Sequence, residues 1–256
     1  MANYKYWERF IKRWSCGGKA INGWTDPDLI PLYGNRKTLS STYIPEPWWG
    51  NDGSSPLHSV VINLNPGRGY QLLMKSNVPY VKSYSKDIVK SGKLPVNDKW
   101  QMRYRAKPIL DALLSLGVYS GNPSLSEHLS VELLPWHTPN VGSSYDNYLK
   151  ANIKSVFFNT ICFAADQSRK IANKKLNSVV ILRMSGNRTN RLLALLNKIG
   201  ITSSIKRNGM TPTGKGRFIE FEFQRIEGVR FVSIWGPRSR NNFPPQADLI
   251  HIVNLI

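Results

Sequence analysis

The sequence predicts an α/β fold, a three-layer α/β/α domain around a central, mainly parallel, four-stranded sheet. Three observations carry this. Short apolar runs rich in Val, Ile and Leu occupy 59–65, 129–134, 178–183 and 229–235, as expected of strands buried in a sheet. Stretches with helical spacing separate them, and that alternation favours a parallel sheet covered by helices. Each run stops at a turn signal: Pro66-Gly67, Pro135, Ser185-Gly186 and Gly236-Pro237.

Taken in order, residues 4–14 read as a helix, with Tyr4, Trp7, Phe10, Ile11 and Trp14 at helical spacing. A loop rich in Gly, Pro and Trp follows, and 1–42 are set apart as an extension ahead of a domain spanning 43–256. The first strand run, 59–65, is β-branched. Residues 103–117 form a helix stopped by Gly117. After the second strand run, 145–174 repeat Tyr148, Ile153, Val156, Phe157, Ile161 and Phe163 with helical spacing. The third run, 178–183, leads into a helix over 188–199 closed by Gly200. Residues 217–223 alternate, as an edge or one-sided strand does, and 229–235 form the last strand.

Composition narrows the function classes. Hydrophobic residues make up 41% of the 256, which excludes a disordered chain. No run approaches the ~20 apolar residues of a membrane span, and no signal peptide is evident, so a cytoplasmic protein with no membrane partner is expected. Cys16 and Cys162 are the two cysteines, with no CxxC or His/Cys cluster. A structural zinc site is therefore not expected. Lys and Arg number 35 against 16 acidic residues, a net charge of +19. These cations are spread through 4–13, 82–93, 103–107, 169–175 and 206–217 rather than held in a tail. Nucleic acid is the partner such a charge favours.

Three-layer sheets place functional groups in the loops after the strand C-termini. Here those loops read Asn63-Leu-Asn65-Pro66-Gly67-Arg68, Glu132-Leu-Leu-Pro135-Trp136-His137-Thr138, Arg183-Met-Ser185-Gly-Asn187-Arg188, and Trp235-Gly-Pro-Arg238-Ser239-Arg240-Asn241-Asn242. Together they resemble the uracil-DNA glycosylase superfamily. The mismatch-specific and single-strand-selective branches carry Gly-x-Asn-Pro-Gly after their first core strand, and this chain has Asn63-Leu64-Asn65-Pro66-Gly67. The segment Pro45-Glu46-Pro47-Trp48-Trp49-Gly50 is similar to the superfamily's approach to that strand. The likeness extends over about 43–245. It departs in the last loop, where the family has His or Asn followed by Pro-Ser, and at Asn63, where it has Gly.

The resemblance implies a monofunctional glycosylase, without metal or organic cofactor, that flips a base out of DNA and hydrolyses its N-glycosidic bond, leaving an abasic site. Asn65 would orient the attacking water, since an amide positions a proton without taking it. The backbone N–H groups of the Asn63–Asn65 turn would hold the base carbonyl. Gly67 stands where strict uracil enzymes carry a tyrosine that blocks a 5-substituent, so its absence of a side chain implies a base bulky at C5. Glu132 lies near the family's base reader. An ionised carboxylate only accepts hydrogen bonds, which suits the exocyclic amine of cytosine, although a glutamate at a sheet end also serves as an ion-pair partner. Together they point to a modified cytosine, such as the glucosylated hydroxymethylcytosine of phage DNA, and to antiviral defence, with uracil repair as the alternative.

Trp136 and His137 are further base-contact candidates, and Trp48 and Trp49 suit either stacking or packing. Arg68, Arg238, Ser239 and Arg240 are candidates for holding DNA, the last three where family members insert a wedge. Arg183, Arg188 and Lys206 are candidates for phosphate. No lysine stands at the four strand ends, so Schiff-base lyase chemistry is not expected. The partner implied is double-stranded DNA, bound by a monomer. A non-catalytic nucleic-acid-binding protein of the same fold is the reading from a different class.

Overall fold

The computed structural model describes residues 48–51, 55–64, 102–133, 143–236 and 243–256. The helix expected over 4–14 and the 42/43 boundary lie outside them. The described residues fall into two compact units. One comprises 48–49, 64, 132–133 and 143–163; the other comprises 50–51, 55–63, 102–131, 164–236 and 243–256.

Seven strands form one mixed sheet: β1 (Trp48–Gly50), β2 (Ser59–Asn63), β3 (His128–Glu132), β4 (Val179–Leu182), β5 (Ser203–Met210), β6 (Arg217–Phe223) and β7 (Arg230–Trp235). Their order across the sheet is β1-β3-β2-β4-β7-β6-β5. The four expected strands are β2, β3, β4 and β7, contiguous in the middle. Val61 pairs with Ile181 and Ile62 with Leu182, so β2 and β4 are parallel. Val180 faces Phe231, and β4 and β7 are also parallel. All residues of β2, β3 and β4 are buried, which requires cover on both faces of the sheet's centre.

The expected four-stranded sheet is thus corrected to seven strands, and two of the additions are antiparallel. β6 pairs antiparallel with β7 on one side and with β5 on the other. Residues 217–223 are therefore an interior strand and not an edge. β5 forms the edge, its residues mostly exposed, and Lys206 and Arg207 discourage pairing with another chain there. Its low apolar content hid it from periodicity. β1 was hidden by its length. Gly50 is required at that far edge: its φ is +108°, and a Cβ there would stand 2.0 Å from the His128 carbonyl oxygen.

Five α-helices are described: α1 (Lys107–Ser115), α2 (Ser143–Val156), α3 (Cys162–Ser168), α4 (Gly186–Lys198) and α5 (Gln246–Leu255). A π-helical turn over Met102–Ala106 leads into α1, and another over Phe157–Ile161 joins α2 to α3. α4 buries Thr189, Leu192, Leu193 and Leu196, the spacing of a single helical face. It packs on β7, where Thr189 Oγ1 lies 2.6 Å from Ser233 Oγ. Gly200 follows α4 with φ +77° and its N–H on the Asn197 carbonyl at 3.0 Å, a left-handed stop that glycine makes without strain. α5, which no sequence signal announced, packs on α1. Its Gln246 Nε2 donates to the Pro108 carbonyl at 3.1 Å.

Candidate functional site

Parallel sheets bind ligands where consecutive connections leave a strand toward opposite sides, outside the strand C-termini. β2 is such a strand. The chain proceeds from it to β3 on one side, then to β4 on the other. Asn63 ends β2, and Arg183 follows β4 with its N–H on the Ile62 carbonyl at 2.9 Å. Two residues from the strand-end loops of the sequence therefore come together at this switch point.

Beneath Asn63 runs a chain of buried polar side chains. Asn63 Nδ2 donates to Ser130 Oγ at 3.1 Å. Ser130 Oγ lies 3.0 Å from His128 Nε2. His128 Nδ1 lies 2.7 Å from Ser59 Oγ. One proton assignment satisfies the chain from end to end: the Ser130 hydroxyl donates to Nε2, and Nδ1–H donates to Ser59. Asn63 Oδ1, equally buried, has no hydrogen-bond partner among the described residues. The amide is thereby held by its nitrogen and presents its carbonyl oxygen at the end of β2.

Burial drives the His128 pKa down to about 3, helped by the positive charges of Arg105 and then Arg183. The imidazole is therefore neutral near pH 7 and acts as a fixed hydrogen-bonding spacer. Arg105 and Arg183 are both largely buried. Arg183 Nη1 donates to the Tyr104 carbonyl at 3.3 Å, and its guanidinium carbon lies 5.7 Å from the Phe243 ring centroid. Arg183 is thus built into the strand end. Of the other two phosphate candidates, Arg188 is partly exposed, and Lys206 pairs with Glu222 at 3.2 Å.

Glu132, in the other compact unit, is fully buried at the end of β3, and its Oε1 accepts from Trp49 Nε1 at 3.2 Å. Trp48 and Trp49 are core residues, 2% and 1% exposed. The Trp48 ring meets Phe163 at 6.2 Å between centroids. Of the two roles open to these tryptophans, the structure shows packing. Asn65, Gly67, Arg68, Trp136, His137, Arg238, Ser239 and Arg240 lie outside the described residues.

Sequence reasoning missed Ser59, His128, Ser130 and Arg105. A signal for the first three was present. Ser59 and Asn63 stand four apart, and His128, Ser130 and Glu132 stand two apart. In a strand such spacing puts polar groups on one face. Polar residues repeating on one face of a buried strand need partners from the neighbouring strand.

Among the described residues, no group of His, Cys, Asp and Glu could hold a metal ion, and no helix is long and apolar enough to cross a membrane. No protein-family model, curated protein or solved structure matches the chain.

Proposed function

We propose that this chain is a DNA glycosylase that hydrolyses the N-glycosidic bond of a flipped nucleotide. The observation that carries the reading is Asn63: a buried amide at the switch point, held through its nitrogen, with its carbonyl oxygen unpartnered among the described residues. Two residues on, Asn65 opens the Asn65-Pro66-Gly67 sequence that resembles the superfamily's water-positioning motif.

The chemistry needs little else from side chains. Water oxygen bonds to C1′ while the C1′–N bond breaks; the bonding pair leaves on the base, which then takes up the proton that the water loses. Asn65 orients the water, and Asn63 Oδ1 accepts from water or from a base N–H. The departing base is anionic. The Arg183 guanidinium, from the residue that follows β4, supplies positive charge for that anion. The +19 net charge draws DNA to the protein.

The substrate proposed is cytosine enlarged at C5, including its glucosylated hydroxymethyl form, in an antiviral role. By the same resemblance, the glycine at position 67 supports room at C5.

The test is alkali-induced strand cleavage of DNA carrying cytosine, uracil, hydroxymethylcytosine or its glucosylated form. Breaks are expected only at the modified cytosines, and Asn65→Ala is expected to slow them by roughly 10²–10³. Breaks at uracil alone would keep the glycosylase and remove the substrate assignment. Tight DNA binding without abasic sites on any of the four would replace the enzyme with a binding protein.

A further inference from the structure

We infer that the π-helical turn Met102–Ala106 is a stacking platform for a single-stranded stretch of nucleic acid, with Tyr104 as the stacking ring and Arg103 as its phosphate contact. This rests on the nucleic-acid-binding part of the reading above and not on its catalytic part.

The turn sorts its side chains by direction. Arg105 and Ala106 point inward and are buried, whereas Arg103 and Tyr104 are exposed. Tyr104 keeps 48% of its surface in solvent. The Arg103 guanidinium lies 5.2 Å from the Tyr104 ring centroid. A cation over an exposed aromatic ring is a pairing that binds a base by stacking and the adjoining phosphate by charge. Lys107 adds a further basic residue to the same run, although it pairs with Asp111.

The platform is tied to the switch point. The Tyr104 carbonyl accepts from the Arg183 guanidinium, and the Arg183 N–H is bonded to Ile62, the residue before Asn63. Arg105, next to Tyr104, adds its field to that of Arg183 at His128. One side of the turn thus packs inward while the other carries the exposed Tyr104 ring. π-Helical turns cost hydrogen-bond geometry and recur at functional positions, and here the irregular turn is what puts Arg103 and Tyr104 outside.

The experiment is fluorescence anisotropy of the full chain with a labelled single-stranded oligodeoxynucleotide, and with the same backbone carrying abasic spacers in place of bases. Tyr104→Ala is expected to weaken binding to the base-bearing strand about five- to 150-fold and to leave the abasic strand unaffected. Tyr104→Trp should retain wild-type affinity, which separates stacking from misfolding. Arg103→Ala should weaken both strands and lower the slope of log affinity against log salt by about one. Wild-type affinity in Tyr104→Ala, or equal losses on both strands, would overturn the inference. A base-dependent Tyr104 effect in a protein that forms no abasic sites would retain it and overturn the glycosylase reading alone.

Discussion

The two halves of the central sheet bury their residues by different rules. Between β6 and β7 the interior is aromatic. Phe231 stacks on Phe221 at 5.7 Å and meets Phe223 edge-on at 4.9 Å. The buried Glu220 there pairs with Arg207 and Arg230, which are partly exposed. Between β2 and β3 the interior is polar, and Ser59, His128, Ser130 and Asn63 satisfy one another in sequence. An aromatic cluster gains from area and shape alone. A buried polar chain gains little net stability and is destabilised by any missing member. Its presence under the switch point therefore argues for orientation, with the aromatic half carrying the fold.

The largest expected effect tests that division directly. Phe231→Ala should destabilise the protein by about 3–5 kcal/mol, read as a lowered urea midpoint. A loss under about 1 kcal/mol would remove the aromatic half's role as the stability centre.

Next in size is the pH response of the polar half. His128 titrates at about 3 when folded against 6.5 when unfolded. Between those values the unfolded chain binds the extra proton, so stability is fully present above about 6.5 and declines as pH falls toward 3. The slope approaches about 1.4 kcal/mol per pH unit within the window. His128→Gln should flatten this part of the Tm-against-pH curve. An unchanged curve would place the titration elsewhere.

The smallest effect is at the β5 edge, where Lys206 and Glu222 form a half-exposed pair across the strands. Removing it by Lys206→Ala should cost about 0.5 kcal/mol or less and vanish in high salt. A larger, salt-resistant loss would mean that the edge contributes to the stability assigned to the aromatic half.

The strands buried on both faces were legible because β2, β4 and β7 are short apolar runs bounded by Gly or Pro. Helix α4 was legible from Leu192, Leu193 and Leu196 and the glycine that follows. β5 was not, because an exposed edge strand has no apolar face to announce it. α5 escaped for the opposite reason: its apolar residues are dense enough to blur their period. In the site, Asn63 and Arg183 were visible as polar residues at strand ends. The partnership of Ser59, His128 and Ser130 was not, since hydrogen bonds between strands join positions 67 and 69 residues apart in sequence.

Sequence by itself determined the α/β class, the four central strands and the excess positive charge, because burial and net charge follow from local pattern and composition. Only the tertiary structure decided that β3 and β4 flank β2. That placement orients Asn63 through Ser130 and the buried histidine beneath it. Strand order is chosen by packing between segments distant in sequence, and a buried polar group's role is set by whichever partner that packing brings within hydrogen-bond reach.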